Sequence, residues 1–463
     1  MKDRSIEFDR EMINRYNHSG PRYTSYPTAV TFHEDFGIED YDEACESGNE
    51  DPLPAPLSLY FHIPFCDTVC FYCACNKIVT KHRSRVAPYL EVLEKEMEIV
   101  GAKFADDREV EQLHFGGGTP TFLNEDEISQ VMWKVQSYFN ARPAEHKDFS
   151  IEIDPRSVTP HYIQVLGTLG FNRFSLGLQD VDIKVQTAVN RIQSTDMTRD
   201  VLSACRDAGA KSINIDLIYG LPFQDPDSFR RTVDTVIEMS PDRLSVFNYA
   251  HLPEMFKPQR RIDAVTLPSP EAKLQILQNT IEQLSDAGYV YIGMDHFAKP
   301  DDELVIARET GHLHRNFQGY TTHGNCDLVG MGVSSISKIR GVFSQNFKDE
   351  ESYRNALAEG ELPIFKGYAT NVEDRLRADV IQRLSCYGDL DMDLFARRYR
   401  IDFKDHFSAE LEMLLPMVND GLVVIGDNSI EVTPKGRLLV RNICMAFDEY
   451  TPRESNTRFS KAI

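Results

Sequence analysis

Apolar residues recur along this chain in two alternating periods. Short runs at Leu57–Ile63, Val110–Phe115, Phe149–Ile153, Arg173–Leu178, Ser212–Ile218 and Leu244–Tyr249 have the length and composition of strands. Between and after them, Pro88–Phe104, Glu125–Phe139, Pro160–Leu169, Thr198–Ala208, Pro226–Met239 and Glu271–Ala287 space their apolar residues three and four apart, as one face of a helix. Thr159-Pro160 and Asp225-Pro226 are helix starts, a capping side chain followed by proline in the first turn. Six βα units in series predict a parallel sheet with helices outside, either an open doubly wound sheet or a complete or partial barrel. In both, ligands meet the C-terminal ends of the strands.

The two ends of the chain depart from this alternation. Up to Pro52 the sequence is polar and turn-rich, and Tyr16–Pro27 sets tyrosines between breakers with no helical or strand period. That reads as a frayed arm, or as a segment lying across a planar ligand. After about Ile364, Asn371–Cys386, Asp391–Tyr399 and Phe407–Asn419 read as amphipathic helices, Gly421–Val432 as a hairpin with an Asp-Asn turn, and Pro434–Phe447 as a last helix. The expected division is an arm over 1–55, a catalytic barrel over 56–363 and a mostly helical, winged-helix-like domain over 364–463 that acts as a lid or packing module.

Charge narrows the function classes. The 463 residues carry 50 Lys and Arg against 72 Asp and Glu, a formal charge of −22, which argues against a nucleic-acid surface spread over the protein. Hydrophobic residues at 41% supply a core. No apolar run reaches membrane-spanning length and the first residues lack a secretory pattern, so a cytoplasmic location is expected, and a monomer with it.

Cysteine placement supplies the chemistry. Of nine cysteines, Cys66, Cys70, Cys73 and Cys75 crowd into the loop that follows the first strand. Spacings of Cys-x3-Cys-x2-Cys let one loop present three thiolates to three irons of a cubane. A structural zinc would need a fourth protein ligand and normally a second knuckle, and the remaining cysteines are isolated. Three ligands leave one iron open. The loop, with Tyr72 before its last ligand, resembles that of the radical S-adenosylmethionine superfamily, where the open iron chelates the cofactor's amino and carboxylate groups. Cys75 is then a pocket residue and not a ligand.

Polar residues gather at the other strand ends. Phe115-Gly116-Gly117-Gly118-Thr119-Pro120 lacks the Lys-Ser/Thr of a phosphate loop but resembles the superfamily's glycine motif against the methionyl group. Later strands deliver Glu152 and Asp154, Gln179 and Asp180, Asp216, then Asn248 and Tyr249, while Arg191 can bind a carboxylate bidentately.

Longer motifs sharpen the resemblance. Tyr23–Ala29, His62–Cys66, Cys73–Thr80, Gly293–Ala298, Asn316–Thr322 and Thr433–Cys444 are similar, in order and over nearly the whole chain, to the oxygen-independent coproporphyrinogen III oxidase family. The resemblance implies a partial (β/α)6 TIM-like barrel of radical SAM type. It implies oxidative decarboxylation of two propionates of coproporphyrinogen III to the vinyl groups of protoporphyrinogen IX, through a 5′-deoxyadenosyl radical, in haem synthesis. By position, Cys66, Cys70 and Cys73 would hold a [4Fe–4S] cluster. Tyr60, Tyr72, Gly117, Glu152 and Ile336 would contact the S-adenosylmethionine on it, with Gly118, Thr119, Gln179, Arg191, Asp216 and Ala250 matching a second cofactor site. Tyr60, Cys75 and Arg22 are the catalytic candidates.

A tetracarboxylate substrate demands local cations in so acidic a chain, and Arg22, Lys77, Lys299 and Arg315 are the candidates. A reductant protein is implied for the cluster. The rival within the resemblance is a haem chaperone with the same three-cysteine loop; those relatives lack the tyrosine-rich arm and the fourth cysteine, both present here. A radical enzyme with another substrate fits the Asn76–Val79 continuation and the C-terminal block less well.

Overall fold

The computed structural model describes residues 5–451, which form two compact units. One holds Phe32–Ser269 and Asn325–Ala369; the other holds the chain up to Thr31, Pro270–Gly324 and the chain from Thr370. These boundaries differ from a cut at residues 55 and 363. Phe32 stacks on Phe343 with ring centroids 5.4 Å apart, and His33 bridges antiparallel to Gly367, so this stretch packs with the sheet. Among the described residues no helix is long and apolar enough to cross a membrane.

The sheet unit is a partial (β/α)6 barrel. Its strands β1 (Leu57–Ile63), β2 (Val110–Gly117), β3 (Asp148–Ile153), β4 (Arg173–Gln179), β5 (Ser212–Tyr219) and β6 (Arg243–Asn248) pair in sequence order, all parallel. The helices between them start where capping chemistry directs. Asn124 and Glu127 form a reciprocal capping box at Glu125–Tyr138, Asp225 and Ser228 another at Pro226–Met239, and Thr159 caps Pro160–Thr168.

Burial alternates along each strand. In β5, Ile213, Ile215, Leu217 and Tyr219 are buried, while Asn214, Asp216 and Ile218 between them stay partly accessible. Buried aliphatic side chains of this kind each contribute about 1.5–3 kcal/mol. The polar, accessible face carries Tyr60, His114, Ser150, Glu152, Ser175, Gln179 and Asp216. A parallel strand covered on both faces would be apolar throughout; these strands have one face for the core and one for chemistry.

Sequence periodicity missed the meander beside β1. Asp327–Met331 pairs parallel with β1, and Ile336–Ile339, Val342–Asn346 and Ile364–Ala369 follow antiparallel. Its strands are short, and turns at Gly332 and Gly341 interrupt any period.

In the second unit the arm is ordered and partly helical, against the expectation of a frayed segment. Arg10–Tyr16 is a helix capped by Asp9, and Tyr16 donates to Asp420 at 2.6 Å. Tyr23 and Tyr26 are core residues rather than a surface for a planar ligand: the Tyr23 hydroxyl donates to Asp448 at 2.9 Å, and that of Tyr26 accepts from the Glu449 amide at 3.0 Å. In the sheet unit a further unexpected helix spans Ile38–Asn49. The C-terminal segment is winged-helix-like, with helices Val372–Tyr387, Met392–Tyr399 and Ser408–Asn419 around a small sheet of Asp389–Asp391, Ser429–Val432 and Val423–Ile425. The expected last helix over 434–447 is broken into Arg437–Leu439, Val440–Cys444 and Met445–Phe447, of which only Val440–Cys444 is α-helical. Gly436 turns the chain against Leu422, whose carbonyl oxygen would lie 2.0 Å from any Cβ there.

Candidate active site

The cysteine loop leaves β1 and is closed by its own backbone. Phe65–Cys66 pairs with Ile78–Val79, with Ile78 N–H donating to Pro64 O at 2.7 Å and Thr80 N–H to Cys66 O at 2.9 Å. Phe71 N–H donates to Val189 O, Asn190 Nδ2 to Val69 O, and Phe71 and Tyr72 pack against Val185, Val189 and Tyr249. The loop is thereby tied to the segment after β4.

The donors around the sulfurs suit thiolate ligands. Arg156 and Arg191 each aim a guanidinium N–H at Cys70 Sγ, at 3.8 and 3.7 Å, and Thr119 Oγ1 lies 3.3 Å from Cys66 Sγ. The neighbouring Cys75 and then Lys77 lower the Cys73 thiol against the effect of burial. Positive groups around a sulfur favour its anionic, metal-binding form, so these residues fit an iron–sulfur cluster.

Asp154 organises the two arginines. Its Oδ2 accepts from Arg191 Nη1 at 3.0 Å and from Arg156 Nη2 at 2.6 Å. Burial raises the Asp154 carboxyl, but Arg191 and then Arg156 outweigh it and hold the group at about 2. Arg191, expected as a free carboxylate clamp, also donates to Gly177 O at 2.6 Å. Lys77, expected among the substrate cations, donates to the carbonyls of Cys73 and Cys75 at 3.1 and 3.3 Å. It anchors the loop.

A polar ladder crosses the accessible face. His62 Nε2 meets the carbonyl of Asn76 at 3.0 Å, which requires the proton on Nε2 and leaves Nδ1 to accept from Tyr60 Oη at 3.2 Å. Burial lowers the His62 pKa and keeps the ring neutral. Tyr60 stacks on His114 with centroids 5.8 Å apart; His114 Nδ1 contacts Ser150 Oγ at 2.6 Å and its Nε2 lies 3.5 Å from Glu152 Oε1. Glu152 Oε2 accepts from Gly117 N–H at 3.2 Å. Burial raises the Glu152 carboxyl, yet His114 and the Gly117 amide bring it below its ordinary value.

The triple glycine is set by packing as well as by any ligand. Gly117 has φ +111°, and a Cβ there would lie 2.5 Å from the His62 ring; at Gly118 it would lie 2.5 Å from Pro64 O. Thr119 N–H donates to Phe65 O at 2.8 Å, so this loop and the cysteine loop are backbone neighbours.

Further round, Asp216 accepts from Asn214 Nδ2 at 2.8 Å and Ser175 Oγ at 3.2 Å, and burial, then Glu152, push it up to about 6. Gln179 sits at φ +70°. Its Oε1, Arg191 Nε and Asn248 Oδ1 are buried without hydrogen-bond partners among the described residues. Ile336 begins its strand against Gly330, which is paired with Tyr60. All the expected cluster and cofactor residues, Tyr72 and Ala250 included, and Cys75 therefore fall in the sheet unit; Arg22 belongs to the other.

Comparison with known proteins settles the family. A Radical SAM superfamily profile matches residues 60–236, and a HemN C-terminal domain profile residues 371–439. The oxygen-independent coproporphyrinogen III oxidase of Pseudomonas aeruginosa is 52% identical over 459 residues, 99% of each chain. This chain belongs to that family. The Escherichia coli relative of the same name is 47% identical over 464 residues, covering both chains fully. The solved structure titled "Coproporphyrinogen III oxidase (HemN) from Escherichia coli is a Radical SAM enzyme" superposes with a TM-score of 0.92 at 46% identity, over 96% of this chain and 100% of that one.

Some residues of this family member escaped sequence reasoning. His62 and His114 were legible only by strand alternation, two residues from Tyr60 and from Gln112 respectively. Glu96 sits among Leu93, Met97 and Val100 on the buried face of the helix Val86–Gly101. It accepts from Tyr353 Oη at 2.5 Å, Gly332 N–H at 2.7 Å and Asn346 Nδ2 at 2.6 Å, fixing the turn that leads to Ile336. A single acid at an apolar position of a helix was the available signal.

Proposed function

We propose that this chain oxidatively decarboxylates two propionates of coproporphyrinogen III to the vinyl groups of protoporphyrinogen IX, in haem synthesis. Its cofactors are a [4Fe–4S] cluster and S-adenosylmethionine, which together supply a 5′-deoxyadenosyl radical that removes a hydrogen atom from each propionate. For each vinyl group formed, carbon dioxide and one electron leave as well. The observation that carries the reading is the three-cysteine loop with Arg156 and Arg191 directed at Cys70, in a chain matching the family end to end.

Cys66, Cys70 and Cys73 hold the cluster. Tyr60, Tyr72, Gly117, Glu152 and Ile336 line the adjacent cofactor, with Glu152 oriented by His114 and the Gly117 amide. Neutral His62 holds Tyr60 by accepting a hydrogen bond from its hydroxyl, and Cys75 lines the pocket beside Cys73. Gly118, Thr119, Gln179, Arg191, Asp216 and Ala250 form a second S-adenosylmethionine site; the unpartnered Gln179 Oε1 and Arg191 Nε support it. Arg22 is a substrate cation. A cytoplasmic monomer served by a reductant protein completes the proposal.

Anaerobic incubation of the reconstituted protein with coproporphyrinogen III, S-adenosylmethionine and a low-potential reductant tests it. Protoporphyrinogen and 5′-deoxyadenosine are expected together. Their joint absence, with haem binding instead, would replace the enzyme by a haem chaperone.

A further inference from the structure

In the unit built from the arm, Pro270–Gly324 and the C-terminal segment, four charged side chains from distant parts of the chain converge: Arg22, Asp295, Arg315 and Arg441. Arg22 Nη1 lies 3.9 Å from Asp295 Oδ2; burial raises the Asp295 carboxyl, opposed by Arg22, Arg441 and Arg315 in that order. Arg441 is buried and donates to the carbonyls of Gly20 and Pro21, fixing the backbone that enters Arg22. Arg315 is only 9% exposed, lies over the Tyr320 ring at 4.8 Å, and leaves Nε and Nη1 with no hydrogen-bond partner among the described residues.

The turn that presents Asp295 is strained. Met294 and Asp295 are the two residues between the strands Val290–Gly293 and His296–Ala298, and both have positive φ, 41° and 77°. Such a turn favours Asn, Asp or Gly; Asp295 suits its position, and the strain falls on Met294. Backbone strain of this sort persists where the surroundings demand it and clusters at binding sites. Here it sets one carboxylate among three guanidiniums.

Arg315 Nε and Nη1 have no hydrogen-bond partner among the described residues, and a buried guanidinium donor left unpaired is costly unless an acceptor arrives. Guanidinium N–H groups match a carboxylate in shape and bind it in pairs. We propose that Arg22, Arg315 and Arg441, set around Asp295, form a carboxylate-binding site that takes a propionate of the substrate. The proposal rests on the reading of the substrate as a tetracarboxylate porphyrinogen. Asp295 keeps the three arginines from repelling one another before the substrate binds, and Arg441 anchors the arm that carries Arg22.

Steady-state kinetics of the full-length reconstituted enzyme test the site. Arg315→Met is expected to raise the KM for coproporphyrinogen III at least tenfold while kcat falls much less, and Arg315→Lys should recover part of the loss. Arg22→Gln, at a half-exposed position with little bearing on folding, should raise KM in the same sense. If the parent enzyme forms no protoporphyrinogen, the functional reading fails. If the parent turns over and Arg315→Met and Arg22→Gln both keep KM within twofold, the carboxylate site is overturned.

Discussion

Arg191 directs its Nη1 at the sulfur of Cys70 from 3.7 Å while the same nitrogen donates to Asp154 at 3.0 Å. A fixed positive charge beside a cluster ligand favours the reduced, more negative state of the cluster, and hydrogen bonds to the sulfurs act in the same direction. Arg191→Gln should therefore lower the cluster's reduction potential, read by an EPR-monitored redox titration. It should also destabilise the protein by on the order of 3 kcal/mol, because Asp154 loses one of its two buried partners. A potential unchanged within error would show that Arg191 does not act on the cluster.

Cys75 shares the bond from Lys77 with Cys73 through their carbonyls but is assigned no iron. Cys75→Ser should keep the iron and sulfide content of the parent, whereas Cys66→Ser, Cys70→Ser and Cys73→Ser each should lose the cluster. Metal analysis after anaerobic reconstitution separates the two groups.

Gly117→Ala would set a Cβ 2.5 Å from the His62 ring at a backbone φ of +111°. The left-handed conformation alone costs roughly 1–2 kcal/mol for a residue with a Cβ, and the ring must move out of its bond with Asn76. The variant should keep its cluster but bind S-adenosylmethionine at least tenfold more weakly, as measured by equilibrium binding to the reconstituted protein.

Glu96 gives a pH signature. Burial raises its carboxyl from 4.5 to about 7 in the folded protein, opposed by its bonds from Tyr353, Gly332 and Asn346. Between pH 4.5 and 7 the folded state therefore holds a proton that the unfolded state has released. Stability falls as pH rises through this window, by about 3 kcal/mol in all. Denaturant unfolding at pH 5 and pH 8 should show that slope in the parent and its loss in Glu96→Gln.

Legibility in the sequence followed how local each feature is. The six parallel strands and their helices were readable because alternation and capping act within a few residues: Asp225 caps its helix through the amides of Asp227 and Ser228. The strands from Asp327 to Ala369 were not, since each is short and is held by pairing with a neighbour rather than by its own pattern. The arm was misread for a related reason: Tyr23 and Tyr26 look like exposed aromatics until Asp448 and the Glu449 amide, more than 400 residues away, satisfy their hydroxyls.

The same distinction runs through the candidate site. Three cysteines at Cys-x3-Cys-x2-Cys, in a loop after the first strand, determine the class of cofactor by themselves, because one short loop can offer three thiolates without help from elsewhere. Which charges surround those sulfurs is a tertiary matter. Lys77, a plausible substrate cation by position, turns inward to the Cys73 and Cys75 carbonyls, and Arg191 joins Asp154. Arg22, Arg315 and Arg441 acquire a common role only when folding brings them to Asp295. Ligand identity was written in spacing; the electrostatic setting depends on distances across the chain, and only the folded structure decides those.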